Sequence, residues 1–563
     1  MIAAIQIENF KGIGKEVRVE LKPITLLFGE NSSGKSTIVQ AIHYGREIFE
    51  RHNLDPDRTV LGGDVLDLGG FENFVHNHDT RRRIRMRFEV DLTCATLPWY
   101  RDEDVDESWV EEADVSWAID ATLERCWVEV EVGWLSSLDQ FPSQGVVVAY
   151  TVGLNGQRIA SVSLRPYKEL VAPMLRIELN HPLLSGRNLP GTIAELIREE
   201  FVRGDHLEVF FSGRTHGLLP SSLPAWGQLI WMEGYRQQEA DRDGDCAERW
   251  YALRRGLSRM VVGPGELVRN ELRKFRYLGP LREMPPRNYE PPRHPDASSW
   301  ANGLAAWDAL HQADQRGEEL PNESPEDEPA VAETAEHEWG RNESHPAEGG
   351  GVDRLSIEVV NEWLHDRLEA GYAVDRRSRT QVDTQTIPKG NADPKELGRF
   401  VEELKKKATK RQVVLVPDGQ SIEVRPHDVG TGISQLLPVV VLALDTRRSL
   451  VAIEQPELHL HPALQTKLGD LFIESAVGER KNTLLIETHS EHLLLRLLRR
   501  IRETTEATPR AHARPLRPDQ VSVIYVERTE QGVQLSQLRI DESGEFIDRW
   551  PKGFFEERVD EIL

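Results

Sequence analysis

Cysteine is almost missing from this sequence: its 563 residues include only Cys94, Cys126 and Cys246, none in a pairwise metal-binding spacing. That argues against a disulfide framework or a structural zinc site, and it suits a reducing, cytoplasmic setting. Long apolar runs are missing too; none approaches the roughly twenty residues that span a membrane. Met1-Ile2-Ala3-Ala4-Ile5-Gln6-Ile7 alternates as a strand does and lacks a charged leader, so no secretory signal is expected. Positive charge is in deficit. Lys and Arg number 69 against 93 Asp and Glu, a net charge of −24. This disfavours nucleic acid spread over the whole surface and leaves open a local basic groove. The remainder, 39% hydrophobic and 29% charged, is the composition of a mostly globular chain. It is long enough for two or more cores, or for one large core with insertions.

What is present is concentrated in Gly29-Glu30-Asn31-Ser32-Ser33-Gly34-Lys35-Ser36-Thr37, a full match to the phosphate-cradling pattern G-x-x-x-x-G-K-[ST]. Residues 24–28 before it read as a buried strand, and residues 36–49 after it carry helical periodicity. In that order, backbone N–H groups wrap phosphates and the helix N-terminus faces the anion. Lys35 would reach the β- and γ-oxygens and Ser36 would ligate Mg²⁺. A chance glycine–serine turn is the bland alternative, and the flanks weigh against it.

Along the chain, residues 1–28 hold three strand-like runs, at 2–10, 17–21 and 24–28. In 81–88, period-two alternation puts Arg83, Arg85 and Arg87 on one face and Ile84, Met86 and Phe88 on the other. That is either an anion stripe or, more commonly, the wet face of an antiparallel strand. Further strands are expected at 115–121, 126–132, 146–152, 159–164 and 175–179, an antiparallel β subdomain over 91–180. Residues 181–300 read as mainly helical, with Trp226, Trp231 and Trp250 for packing, before a stiff strand-to-loop segment from Tyr277 to Arg287. Over 301–352, and most plainly from His311 to Gly351, the composition turns to Glu, Asp, Pro, Ala and Gly. So little apolar surface cannot offset ordering entropy, and a disordered acidic linker is expected. A helix over 355–370 and a basic cluster at 405–411 follow.

The second half carries its own motifs. Val429-Gly430-Thr431-Gly432-Ile433-Ser434-Gln435 is a glycine–serine turn at the start of an apolar helix, a geometry that binds anions. The apolar strand 450–453 ends at Glu454-Gln455-Pro456-Glu457. An acid at the carboxyl end of a buried strand is the expected partner of Mg²⁺ beside a phosphate loop. His459 and His461 invite a metal reading, but no third ligand has suitable spacing, and a loop ordered by local hydrogen bonds is favoured. A helix over 462–475 and a strand over 483–486 lead to Glu487-Thr488-His489-Ser490, whose histidine could sense a γ-phosphate or be merely structural.

Together these pieces resemble one family. The phosphate loop, the glycine–serine turn, Ile453-Glu454-Gln455-Pro456-Glu457-Leu458-His459-Leu460-His461-Pro462 and Glu487-Thr488-His489-Ser490 follow the order of ABC-type ATPase heads. The nearest group is the RecF/SMC/OLD-like soluble, AAA-annotated ATPases. The ending from Phe546 to Arg558, with its Trp-Pro-Lys-Gly-Phe-Phe run, is similar to that of one subgroup of bacterial ATPases. The resemblance covers about residues 1–90 and 410–563 and is thin between them. It implies an α/β fold, an ABC-type P-loop head with a mixed sheet, an antiparallel β subdomain and a helical insertion. Its lobes would lie at 1–90 and 353–545, with a tail at 546–563.

The same resemblance implies ATP and Mg²⁺ as cofactors, with Gly29 to Thr37 on the phosphates and Ser36 and Glu454 on the metal. His489 would be the switch histidine, and His461 stands where such heads often have an aspartate. Gly430, Thr431, Gly432, Ser434 and Gln435 stand for the signature that meets ATP across a face-to-face dimer, in an ambiguous register. Gln455 departs from the family, which commonly has the glutamate that activates water there. An amide can position water but cannot take its proton. Either Glu457 or His489 substitutes, or hydrolysis is slow; slow hydrolysis is the expectation.

The implied function is a dimerising ATP switch in phage defence or DNA repair, with a protein effector such as a nuclease or toxin and nucleic acid as a further partner. An OLD-like ATPase whose nuclease lies on another chain is the alternative, as is a non-hydrolysing regulatory scaffold. Val523 to Glu527 partly resembles the opening of a TOPRIM nuclease fold, but no Asp-x-Asp pair follows. A membrane importer's ATPase lacks support, and no membrane partner is expected.

Overall fold

The computed structural model describes residues 1–51, 68–93, 95–100, 123–135, 144–167, 170–184, 206–210, 221–230, 244–287, 289–292, 297–313, 355–379, 393–406, 410–508 and 513–551. The chain divides into two compact units. The first comprises Met1–Glu283, Asp296–Gly303 and Thr446–Leu563; the second comprises Met284–Pro295 and Leu304–Asp445. The fold is mixed α/β, as expected.

A six-stranded sheet carries the phosphate loop in the first unit. Its order is Arg276–Leu278, Leu450–Glu454, Thr483–Glu487, Ile24–Phe28, Val521–Thr529 and Gly532–Leu538. The first five strands run parallel and the last antiparallel. Strands Leu450–Glu454, Thr483–Glu487 and Ile24–Phe28 are buried at every residue, which is why they read as unbroken apolar runs. Leu484 pairs with Ile24 and Glu487 with Leu27, so segments remote in sequence become neighbours. Val523 to Glu527 lies in this sheet beside the phosphate-loop strand, not in a separate nuclease fold. Trp550 of the tail meets Phe28 edge-on at 5.5 Å; residues 552–563 lie outside the described set.

The second sheet of this unit is antiparallel and eight-stranded. It runs Val17–Glu20, Ile2–Glu8, Ile84–Asp91, Arg125–Leu135, Gln144–Leu154, Gln157–Tyr167, Leu170–Glu178, His206–Phe210. The antiparallel strands expected over 91–180 therefore continue a sheet begun at the N-terminus; the one placed at 115–121 lies outside the described residues. Along Ile84–Asp91 burial alternates residue by residue. The arginine face of that strand is matched by glutamates: Arg83 to Glu131 at 3.2 Å, Arg85 to Glu8 at 2.8 Å, Arg87 to Glu129 at 2.7 Å. Opposite charges on neighbouring strands neutralise the stripe, which is the wet-face reading rather than the anion site.

Residues 181–300 include the expected helices Gly244–Val261 and Gly263–Arg273, but also the edge strand His206–Phe210. Five residues are too few for alternation to outweigh the helical periodicity around them. In the second unit, helix Leu304–Ala313 corrects the start of the acidic linker. Trp307 and Leu310 on it are buried, and it packs against helix Thr431–Asp445. Trp307 and Leu310, three positions apart, share one face of this helix and bury it. Residues 314–354 lie outside the described set. Strands Tyr372–Arg379 and Lys410–Pro417 form an antiparallel pair. Residues 355–445, placed by sequence in the C-terminal lobe, cluster in this second unit, and 446–545 in the first. No helix among the described residues is long and apolar enough to cross a membrane.

Candidate functional site

The phosphate loop leaves the buried strand Ile24–Phe28 through Gly29, whose φ of 147° favours glycine and where a Cβ would lie 2.1 Å from the Val526 carbonyl oxygen. Gly34, at φ 110°, hands the chain to helix Lys35–Arg46. Between them Glu30, Asn31 and Ser32 are exposed or lie at the loop's rim, and Ser33 is buried. Lys35 is only 3% exposed and donates to the carbonyls of Gly29 at 3.0 Å and Glu30 at 2.8 Å. Burial lowers its pKa, a shift opposed by the charge of Glu487 and then Glu454.

Residues more than four hundred positions away in the chain complete the site. The Ser36 hydroxyl donates to Glu487 Oε2 at 2.8 Å and lies 3.4 Å from Glu454 Oε2. Glu454 ends one buried strand and Glu487 the next, in register. The Tyr277 hydroxyl donates to Glu454 Oε1 at 3.1 Å. Arg282, itself buried, donates to the backbone carbonyls of Glu454 at 2.9 Å and Gln455 at 3.2 Å, fixing where the acid strand ends. Gln455 has a left-handed φ of 45°, and its N–H donates to the Glu487 carbonyl at 2.7 Å. Glu457 ties two loops together, accepting from His489 N–H at 2.7 Å and the Thr488 hydroxyl at 2.8 Å. His489 is half-buried; burial and then Lys35 push its pKa down, so a neutral imidazole faces the loop. Its buried Nε2 has no partner among the described residues.

Lys35, Ser36, Glu454, Gln455, Glu457 and His489 are thus brought into one neighbourhood within the first unit. Gly430, Thr431, Gly432, Ser434 and Gln435 belong to the second unit and open helix Thr431–Asp445. There Gly430 and Thr431 are exposed, while Ser434 is buried with its hydroxyl on the Thr431 carbonyl at 2.9 Å. His461 caps the following helix, its Nδ1 accepting from Ala463 N–H at 3.3 Å, and His459 is exposed. Among the described residues no three His, Cys, Asp or Glu side chains could hold a metal by themselves. Sequence reasoning missed Tyr277, Arg282 and Glu487 as site residues. The signal for Glu487 was there: an acid closing a buried strand, the same signal that marked Glu454.

Hard oxygen donors from a hydroxyl and carboxylates fit Mg²⁺, which rarely takes an all-protein cage. Beside Ser32, Ser33, Gly34 and Thr37 a cavity of about 840 Å³ opens, with His76 and Arg82 on its wall.

Burial, then the charge of Glu487, push the Glu454 pKa up to about 7. The folded state therefore holds an extra proton between the ordinary value of 4.5 and about 7, and stability falls as pH rises through that window. Glu454→Gln, which removes the charge and keeps the acceptor for Tyr277, should raise the melting temperature of the nucleotide-free protein at pH 8. The gain should vanish near pH 4.5. Thermal unfolding at the two pH values reads this directly, and no gain at pH 8 would contradict it.

Residues 233–496 match a model described as "AAA domain, putative AbiEii toxin, Type IV TA system", and residues 1–80 match one described as "AAA ATPase domain". Residues 516–563 match a family described as a protein of unknown function. No curated protein matches at a significant level. Solved structures that match include an SMC head bound to the C-winged helix domain of ScpA, at 10% identity over 96% of this chain and 98% of that one, TM-score 0.37. Another is an SMC head with an extended coiled coil bound to the C-terminal domain of ScpA, from Pyrococcus furiosus, at 12% identity over 96% of each chain, TM-score 0.33. A third is the SMC head domain from Thermotoga maritima, at 9% identity over 96% and 99%, TM-score 0.32.

Proposed function

We propose that this ABC-type ATPase head is an ATP-gated switch that dimerises on nucleotide and hydrolyses it slowly. The observation that carries the reading is the Ser36 hydroxyl set between Glu487 and Glu454, which joins the phosphate loop to the acid strand. Lys35, freed from the Gly29 and Glu30 carbonyls, would bind the β- and γ-phosphates, with the backbone of Glu30 to Thr37 around them. Ser36 and Glu454 would hold Mg²⁺, which neutralises phosphate charge when bound. The cavity beside Ser32 to Gly34 has room for the nucleoside. His489, neutral and with Nε2 unpartnered among the described residues, would donate to a γ-phosphate oxygen.

Gln455 can orient a water but cannot deprotonate it. Glu457 holds the Thr488–His489 loop with one hydrogen bond to each of its oxygens, a positioning task. Slow turnover makes the head a timer. In the dimer, the exposed Gly430 and Thr431 of one copy would meet the nucleotide of the other. The toxin–antitoxin wording of the family description covering residues 233–496 favours a toxin effector; phage defence with a nuclease effector and DNA repair are the related readings. Light scattering should show dimers with ATP and Mg²⁺ and monomers with ADP. A protein that stays monomeric in both would contradict the switch.

A further inference from the structure

The geometry points to Glu487 as a second carboxylate of the magnesium site, so that the metal end of the phosphate loop is lined by two acids rather than one. This rests on the nucleotide site proposed above and assigns a metal-binding role to a residue that the reading there left without one.

The placement follows from the sheet. Glu454 and Glu487 are the last residues of adjacent parallel strands and pair in register, which puts their side chains on the same face at the same height. Glu487 also pairs with Leu27, two residues before Gly29 of the loop. Of the two acids, Glu487 makes the shorter contact with the Ser36 hydroxyl, 2.8 Å against 3.4 Å. One oxygen of Glu454 is held by Tyr277, whereas Glu487 Oε1 lies 3.8 Å from Lys35 Nζ. Both carboxylates are buried, at 7% and 6% exposure.

Charge decides what this arrangement can accept. Lys35 brings one positive charge to two acidic groups, and its ammonium donates to loop carbonyls. A triphosphate entering there without a cation meets a surplus of negative charge in a poorly solvated place. A divalent cation between the acids and the phosphates reverses the balance, and each added acidic ligand raises its affinity. A purely structural Glu487, present only to hold Ser36, would not couple metal to nucleotide in this way.

The test is calorimetric titration of a non-hydrolysable ATP analogue into the full chain, with EDTA or with Mn²⁺, the free Mn²⁺ being followed by electron paramagnetic resonance. Glu487→Gln keeps an acceptor for Ser36 and removes the charge. It should tighten metal-free binding, since one negative charge fewer faces the phosphates, and cut the affinity gained on adding Mn²⁺ by roughly tenfold or more. Glu487→Asp, which retains the charge, should keep part of that gain. A Gln variant with the full wild-type gain, or one that loses metal-free and Mn²⁺-dependent binding in equal measure, would overturn the assignment. Wild-type protein that binds no analogue under either condition would overturn the nucleotide site itself, and this role with it.

Discussion

Lys35→Ala should lose ATP affinity by about a hundredfold or more while remaining folded. Charge-assisted hydrogen bonds are worth about 1.5–3 kcal/mol each, and in the proposed nucleotide complex the ammonium would make two, with the β- and γ-phosphates. Lys35 is also an ion-pair partner of Glu487, at 3.8 Å. Its loss leaves the buried carboxylates facing the phosphates with less compensation, so repulsion adds to the missing contacts. The variant should stay folded, because the Lys35 hydrogen bonds go to two carbonyls of the same loop and the strand beneath is held by both neighbours. Calorimetry with ATP and Mg²⁺, paired with a thermal melt, separates binding from folding. Unchanged affinity in a folded variant would refute the assignment of the loop.

Gln455→Glu should accelerate hydrolysis, since a positioned general base commonly contributes about 10²–10⁴-fold. The wild-type rate should accordingly fall below the roughly 1–10³ s⁻¹ typical of enzymes. Glu is nearly isosteric with Gln, and the left-handed φ of 45° already accommodates a long side chain there. The Gln455 N–H to the Glu487 carbonyl and the carbonyl held by Arg282 are backbone bonds that the substitution keeps. Steady-state phosphate release should rise while ATP affinity stays near wild type. A fast wild-type enzyme indifferent to this change would show that another group takes the proton.

The site was legible where local chemistry writes itself into the sequence. The glycines of the phosphate loop, the buried strand before it and the acid closing Leu450–Glu454 each announce their role through spacing or apolar run. Glu487 carried the same mark as Glu454, but the neighbouring histidine drew the reading away from it. Tyr277 and Arg282 were not legible as site residues. Their work depends on strand Arg276–Leu278 pairing with Leu450–Glu454, a contact between segments far apart that no local pattern encodes. The arginine face of Ile84–Asp91 looks basic in the sequence only because its glutamate partners, Glu8, Glu129 and Glu131, sit on other strands. The acidic segment was begun too early by composition, since Trp307 and Leu310 belong to a folded helix.

The sharpest measurement is a double-mutant cycle between Ser36→Ala and Glu454→Gln, scored by the affinity that Mg²⁺ adds to ATP binding. If both side chains serve one magnesium-bound triphosphate, each single change should remove most of that gain and the pair should lose little more. Losses that simply add would mean that the hydroxyl and the carboxylate act on separate sites, and the nucleotide centre built across the two ends of the chain would be wrong.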